Sequence, residues 1–381
     1  MSKLDEVIKS VNSKLKNDIL TTDIDAITFR GKEEIPYSTP ALTRLFHGGH
    51  KAHTLFTLSG EYSSGKTSCA MAIASDFQKY YKKKWADRVA ELEAKEKLNK
   101  NEKQEYVELL DNGYKKVAFI DVECSADSDW ASKMGFDFSD AIYCKPQGES
   151  AEQILEIILD LIKSDGICLV ILDSVAALAS AAQTEKSIEE KTYGGISASM
   201  TVFVAKLLPL LNKHDCSVIA INQLRDVLNS SIPGQTKMPG GRALSYQSHV
   251  ILNFRKGKAL DESYKEIPNK SENYFGQYVE VRVEKNKISK PDVRLTRLHI
   301  LFNKGLYPLL DVVNLAIDYG IITKSGAWFT FEDEEGNPRI DSEKNTMKWQ
   351  GLTGVVKYFE THEKEYSELF DLVDKKVREN S

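Results

Sequence analysis

The sequence predicts an α/β fold: a mostly parallel, twisted sheet with helices on both faces, an N-terminal helix and a small α/β C-terminal part. Three observations carry this expectation. From Leu55 onward short apolar runs alternate with helical segments; a glycine-rich loop joins the first such run to the first helix; and 41% of the 381 residues are hydrophobic, enough to bury a large core. Alternation of this kind favours a doubly wound sheet, because each parallel crossover lays a helix over one face.

The elements follow in order. Residues 1–20 read as a short amphipathic helix, with Leu4, Val7, Ile8, Val11 and Leu15 at helical spacing. A turn-rich stretch, 31–40, leads to the main body. Strands are expected at 54–59, 117–122, 168–173, 217–222, 248–254, 278–285 and 296–302, the later ones antiparallel, and helices at 66–80, 151–164 and 196–212. Residues 81–116 are dense in Lys and Glu and almost without β-branched residues. They read as a charged helical hairpin inserted between the first helix and the second strand, either a solvated protrusion or a docking surface for a partner protein. After Gly305 the pattern becomes a helix, a short hairpin and two helices.

Composition excludes several classes. No apolar run is long enough to span a bilayer. The start, Met1-Ser2-Lys3-Leu4-Asp5-Glu6, is polar and acidic, unlike a secretory signal. Cysteines 69, 124, 144, 168 and 216 are scattered singly, suiting neither a disulfide framework nor a zinc site. A cytoplasmic protein without membrane contact is expected. The formal charge of −5 does not announce a nucleic-acid binder, so any DNA site must be a local basic or loop-built surface.

The chemistry starts in the loop. Gly60-Glu61-Tyr62-Ser63-Ser64-Gly65-Lys66-Thr67 fits the phosphate-binding pattern GxxxxGK[ST], between an apolar strand and a helix that continues through Ser68. Glycines let backbone N–H groups wrap phosphates, and the helix N-terminus adds positive partial charge. Lys66 is expected to reach the terminal phosphates and Thr67 to ligate Mg²⁺. Cys168-Leu169-Val170-Ile171-Leu172-Asp173 is an apolar strand ending in an acid, which places Asp173 on Mg²⁺ with Ser174 next to it. Val117 to Glu123 puts Glu123 just past another strand end, where strand ends converge on a nucleotide crevice. Glu123 is therefore the candidate base for water, and Asp121 the structural acid. These residues point to ATP hydrolysis.

Six ordered motifs resemble the RecA family of DNA recombinases, bacterial RecA and phage UvsX-like proteins alike. The loop is similar to the family's Gly-Pro-Glu-Ser-Ser-Gly-Lys-Thr, and Ala118-Phe119-Ile120-Asp121-Val122-Glu123 to its Ala-Phe-Ile-Asp-Ala-Glu. Asp173-Ser174-Val175-Ala176-Ala177-Leu178 and Lys285-Asn286-Lys287-Ile288 are identical to family segments; Ile221-Asn222-Gln223-Leu224-Arg225 and Gly326-Ala327-Trp328-Phe329 are similar to others. The resemblance implies an N-terminal oligomerisation segment at 1–37, a RecA-like ATPase core at 38–302 and a C-terminal α/β domain at 303–381. It also implies roles. Glu123 activates water, with Lys66 and Gln223 at the reacting phosphate, Gln223 sensing the γ-phosphate and opening the second DNA loop. Asp127 contacts adenine, and Trp130 replaces a tyrosine stacked on it. Lys285 and Lys287 reach a neighbouring subunit's ATP, and Phe302 falls near a neighbour's adenine.

The resemblance further implies two DNA loops. The first spans about 187–195 and ends in Tyr193-Gly194-Gly195; the second runs from Arg225 to Gly241 and carries Ile232, Lys237, Gly240 and Gly241, with Arg242 after it. Lys206 matches an arginine on the DNA backbone. The implied function is a DNA-dependent ATPase that uses ATP and Mg²⁺, forms helical filaments on single-stranded DNA and exchanges strands with duplex, aided by a loader, mediator or single-strand-binding protein. Departures bear on DNA rather than on nucleotide chemistry: Ser199 and Ser245 stand where the family has arginine and lysine, Tyr246 where it has a subunit-contacting phenylalanine, and a wedging apolar pair is reduced to Ile232. Two alternatives therefore stay open, an accessory RecA-like paralogue and a hexameric helicase on the same core.

Overall fold

A computed structural model describes residues 3–15, 33–181, 196–226, 236–269, 274–290 and 292–379. Strands β1 (Glu34–Ile35) and β2 (His50–Lys51) pair ahead of the main sheet. That sheet contains β3 (Leu55–Gly60), β4 (Lys116–Asp121), β5 (Ala141–Cys144), β6 (Ile167–Asp173) and β7 (Ser217–Gln223). Two short strands outside it, β8 (Arg225–Asp226) and β9 (Thr236–Lys237), pair with each other. The sheet is completed by β10 (Val250–Leu260), β11 (Glu266–Ile267), β12 (Gly276–Asn286), β13 (Leu295–Leu301) and β14 (Gly305–Leu306). Its order is β5-β4-β6-β7-β3-β10-β12-β13-β14, with β11 beside β10. The run from β5 to β10 is parallel and the remainder antiparallel.

The central strands are apolar on both sides because both faces are covered. Alternate residues divide between two cores. Phe56, Leu58, Val117, Phe119, Ile219 and Ile221 face the helix Lys66–Glu93, whereas Leu55, Ala118, Ile120, Val170, Leu172 and Val218 face the helices Ala151–Lys163 and Ser197–His214. The second helix starts at a capping box, Ser150 with Gln153, and buries Ile154, Leu155, Ile158, Leu159 and Ile162. Parallel pairing brings the C-terminal ends of β3, β4, β6 and β7 to one edge, with Asp121 opposite Asp173 and Gly60 opposite Gln223.

Several expectations change. The first helix does not stop at 80 but runs unbroken to Glu93, since residues 66–93 contain neither Gly nor Pro. The inserted hairpin's first arm is thus the end of the nucleotide-loop helix. Its second arm, Lys100–Asn112, starts at an Asn99–Glu102 capping box and buries no residue. Trp85 Nε1 donates to Leu109 O at 2.8 Å, and Arg88 bridges Glu105 at 2.7 Å. Inside and just beyond the turn-rich stretch lie β1 and a helix, Pro40–Phe46, with Thr39 as its N-cap and Pro at its first position. The expected C-terminal hairpin is a three-stranded sheet, β15 (Ile322–Ser325), β16 (Trp328–Phe331) and β17 (Lys348–Gln350). Around it are the helices Pro308–Asp318, Gly351–Thr361 and Glu363–Glu379. Their Val312, Val355 and Val373 share one core with Leu42 and Phe46.

All five cysteines are free. Among the described residues no helix is long and apolar enough to cross a membrane.

Candidate nucleotide site and its surroundings

The glycine-rich loop leaves β3 at Gly60 (φ 155°) and enters the long helix at Gly65 (φ 85°). A Cβ on Gly60 would lie 2.4 Å from Phe254 O, and one on Gly65 would lie 2.9 Å from Val279 Cγ2. Neither position has room for a side chain, so the backbone itself forms the concave wall. Lys66 Nζ folds over it, donating to Glu61 O at 2.5 Å and Gly60 O at 3.2 Å. Burial pulls the Lys66 ammonium down from its ordinary range, while Asp173, Glu123 and Glu61 support its charge. Glu61, Tyr62 and Ser63 are exposed, and Ser64 Oγ donates to Glu61 O at 2.8 Å.

Thr67 Oγ1 donates to Asp173 Oδ2 at 2.7 Å. Burial, with Glu123 and Asp121 nearby, pushes Asp173 up to about 6 despite that bond. A buried carboxylate crowded by two others is what a divalent cation would relieve. Two oxygen donors, Thr67 and Asp173, suit Mg²⁺, which retains waters and phosphate ligands. The loop and this pair fit a Mg²⁺-nucleotide.

Glu123 lies beyond β4, and its Oε1 accepts Gln223 Nε2 at 2.6 Å and the Ser174 hydroxyl. Asp121 is used differently. Its carboxylate accepts Ser125 N–H at 3.2 Å, Ala126 N–H at 2.9 Å and Tyr143 OH at 2.8 Å, fastening the turn that carries Glu123. The Ser174 and Tyr143 contacts were not read from the sequence; they depend on strand register, and only the position of Ser174 beside Asp173 hinted at either.

Beside the loop, Asp127 caps the helix Ser128–Lys133 by accepting Trp130 N–H at 3.0 Å, and Trp130 Nε1 donates to Ser68 Oγ at 3.0 Å. Phe302, expected near a neighbour's adenine, follows β13: Lys133 Nζ donates to Phe302 O at 3.3 Å, and its ring meets Tyr274 edge-on at 5.2 Å.

Lys285 and Lys287 lie away from this edge. Lys285 pairs with Ile251, which pairs with Thr57 near the start of β3. Lys285 Nζ donates to Ser245 O at 2.8 Å and Tyr246 O at 2.7 Å, at the end of the helix Gly241–Gln247. Lys287 Nζ donates to Tyr246 O at 3.5 Å.

Of the DNA candidates, Tyr193, Gly194, Gly195 and Ile232 lie outside the described residues. Arg225 donates to Ala176 O at 3.0 Å, and Gly240 packs against Val175, so both stems of the second loop rest on the turn that follows Asp173. Lys237 pairs with Arg225 through the β8–β9 backbone. Gly241 packs on Ser197, and Arg242 is exposed beside it. Lys206 is exposed and bonded to Glu156 at 2.6 Å. Ser199 Oγ donates to Glu152 at 2.6 Å, and Glu152 also accepts Ala181 N–H at 2.9 Å.

Comparison with known proteins matches residues 104–307 to the RecA N-terminal domain family. The chain is 32% identical over 262 residues to "Protein RecA, chromosomal" of Lactococcus lactis subsp. lactis (strain IL1403), covering 69% of this chain and 62% of that protein. It is 34% identical over 233 residues to "Protein RecA" of Mesoplasma florum, covering 61% of this chain and 65% of that protein. With "Protein RecA" of Malacoplasma penetrans the identity is 31% over 265 residues, covering 70% of this chain and 74% of that protein. The match thus spans 62% of the length of the Lactococcus lactis relative. With a glycine-rich loop, two acidic strand ends and a mostly parallel sheet in that arrangement, this chain belongs to the RecA family.

Proposed function

We propose that this chain is a DNA-dependent ATPase that assembles head to tail into helical filaments on single-stranded DNA, pairs that strand with homologous duplex and exchanges strands. The observation that carries it is the meeting of Glu123 with Gln223 at 2.6 Å, because Gln223 is also the last residue of β7, at the mouth of the second loop. One contact links the candidate base to the candidate DNA surface.

ATP with Mg²⁺ supplies the transferable phosphoryl group and the cation that neutralises it. The chain's own residues do the rest. The loop from Gly60 to Ser68 cradles phosphates, Lys66 offers charge, Thr67 and Asp173 hold the cation, and Glu123 orients water and takes its proton. Asp127 and Trp130 flank the base, and Phe302 meets the base of a neighbouring subunit's nucleotide. Lys285 and Lys287, facing away from this chain's own loop, serve the next subunit's nucleotide across an interface that does not close on itself. DNA would meet Arg225, Lys237, Arg242, Lys206 and the glycines at 240 and 241, with Tyr193 to Gly195 and Ile232. The division into 1–37, 38–302 and 303–381 and a cytoplasmic location belong to the same proposal.

Glu123→Gln tests it. Filaments should still assemble with ATP while hydrolysis collapses by about 100-fold or more; normal turnover in that variant refutes the assignment. An accessory paralogue is the second reading, favoured by the commitment of Ser199 to Glu152 where the family resemblance implies an arginine. Strand exchange by the purified protein alone excludes it.

A further inference from the structure

Glu123 is reached by two donors, and they differ in permanence. Gln223 is half-buried at the mouth of the second loop, whereas Ser174 is wholly buried directly after Asp173. Both donate to Oε1, and among the described residues no hydrogen bond is made to Oε2. The backbones are already joined, since Val122 N–H and Glu123 N–H donate to Asp173 O at 2.7 and 3.2 Å. The Ser174 hydroxyl adds the side-chain link. A glutamate past a strand end has three rotatable torsions, and fixing them costs entropy unless partners hold the carboxylate.

We propose that Ser174 is the positioning residue of the catalytic base. The inference rests on the reading of Glu123 as that base. In the proposed cycle Gln223 is the group that turns toward the terminal phosphate, and when it leaves, Ser174 alone keeps Oε1. Oε2 then faces the attacking water. The water's O–H bond breaks, its proton passes to Oε2, and its oxygen bonds to phosphorus as the ADP oxygen departs. Ser174 changes neither charge nor protonation; it fixes which carboxylate oxygen does the work.

The test compares full-length wild type, Ser174→Ala, Ser174→Thr and Glu123→Gln. Ser174→Ala should lower kcat about 10- to 100-fold, the loss of one hydrogen bond to a charged group. KM for ATP and affinity for a non-hydrolysable analogue should be unchanged. In nucleotide-free protein the ¹³C carboxyl resonance of Glu123, assigned by its loss in Glu123→Gln, should shift in Ser174→Ala. Ser174→Thr, which keeps the hydroxyl, should restore both rate and resonance. Wild-type kcat with an unmoved resonance in Ser174→Ala overturns the proposal. So does a fall in analogue affinity parallel to kcat, which would mark a merely structural turn. Persistent hydrolysis by Glu123→Gln instead removes the base reading, while the resonance still reports whether Ser174 holds the carboxylate.

Discussion

Gly65 combines a φ of 85° with a contact that would put a Cβ 2.9 Å from Val279. Alanine there must strain the backbone and displace β12, at a cost of roughly 1–3 kcal/mol. Gly65→Ala should lose nucleotide affinity at least about tenfold by calorimetry, and unchanged affinity would deny the loop its role. Asp76 makes a different residue-scale claim. It is 7% exposed, and burial pushes its carboxyl up to about 7 although Ser38 donates to it from N–H and Oγ. Its ordinary value is 3.8, so between that and about 7 the folded chain holds a proton the unfolded chain has released. Stability from this group therefore falls as pH rises through that window and stays low above it. Asp76→Asn, which can still accept from Ser38, should exceed wild type at pH 8 by on the order of 2 kcal/mol in urea unfolding and match it near pH 4. A difference independent of pH would contradict this.

At the scale of elements, the hairpin shows what sequence reveals and what it hides. Its charge and helical character were legible, because Lys and Glu without β-branched neighbours leave little else. That its first arm is the nucleotide-loop helix itself was not, since a burial pattern ending near residue 81 looks like an end of helix when only the apolar face is read. The short helix Pro40–Phe46 escaped because Pro reads as a breaker until Thr39 is seen as its cap. β5 escaped because Ile142 and Tyr143, on an edge, are 44% and 43% exposed. Phosphate loop and acidic strand ends were readable, being contiguous in sequence. The meeting of Glu123, Ser174 and Gln223 was not, because it needs the order β4-β6-β7. The hairpin's ion pairs are at least a third open to solvent where Arg88 meets Glu105, so Arg88→Ala should leave the urea midpoint nearly unchanged. Trp85→Ala removes the Leu109 contact and packing on Tyr114. Hydrogen exchange should show residues 100–112 losing protection while 66–80 keep theirs; equal loss in both would mean that the hairpin supports the nucleotide helix.

Across the whole molecule, three contacts tie separate parts together. Asp311 accepts Thr39 Oγ1 at 2.9 Å and His299 Nδ1 at 2.6 Å, and Arg378 bonds Glu34 at 3.0 Å, so the C-terminal helices clasp the segment preceding β3. The placement of Lys285 and Lys287 near the start of β3, away from the loop at its end, gives a prediction at assembly scale. Lys66→Ala and the double variant Lys285→Ala/Lys287→Ala should each be inactive, yet their mixture should recover hydrolysis where an intact lysine pair meets an intact loop. A mixture as inactive as its parts would place those lysines outside the nucleotide site. The account as a whole stands on ATP hydrolysis by the purified full chain, measured with and without single-stranded DNA. It predicts turnover that rises several-fold or more when DNA is added. A rate that DNA leaves unchanged would contradict it, leaving a nucleotide site uncoupled from the loop that Gln223 opens.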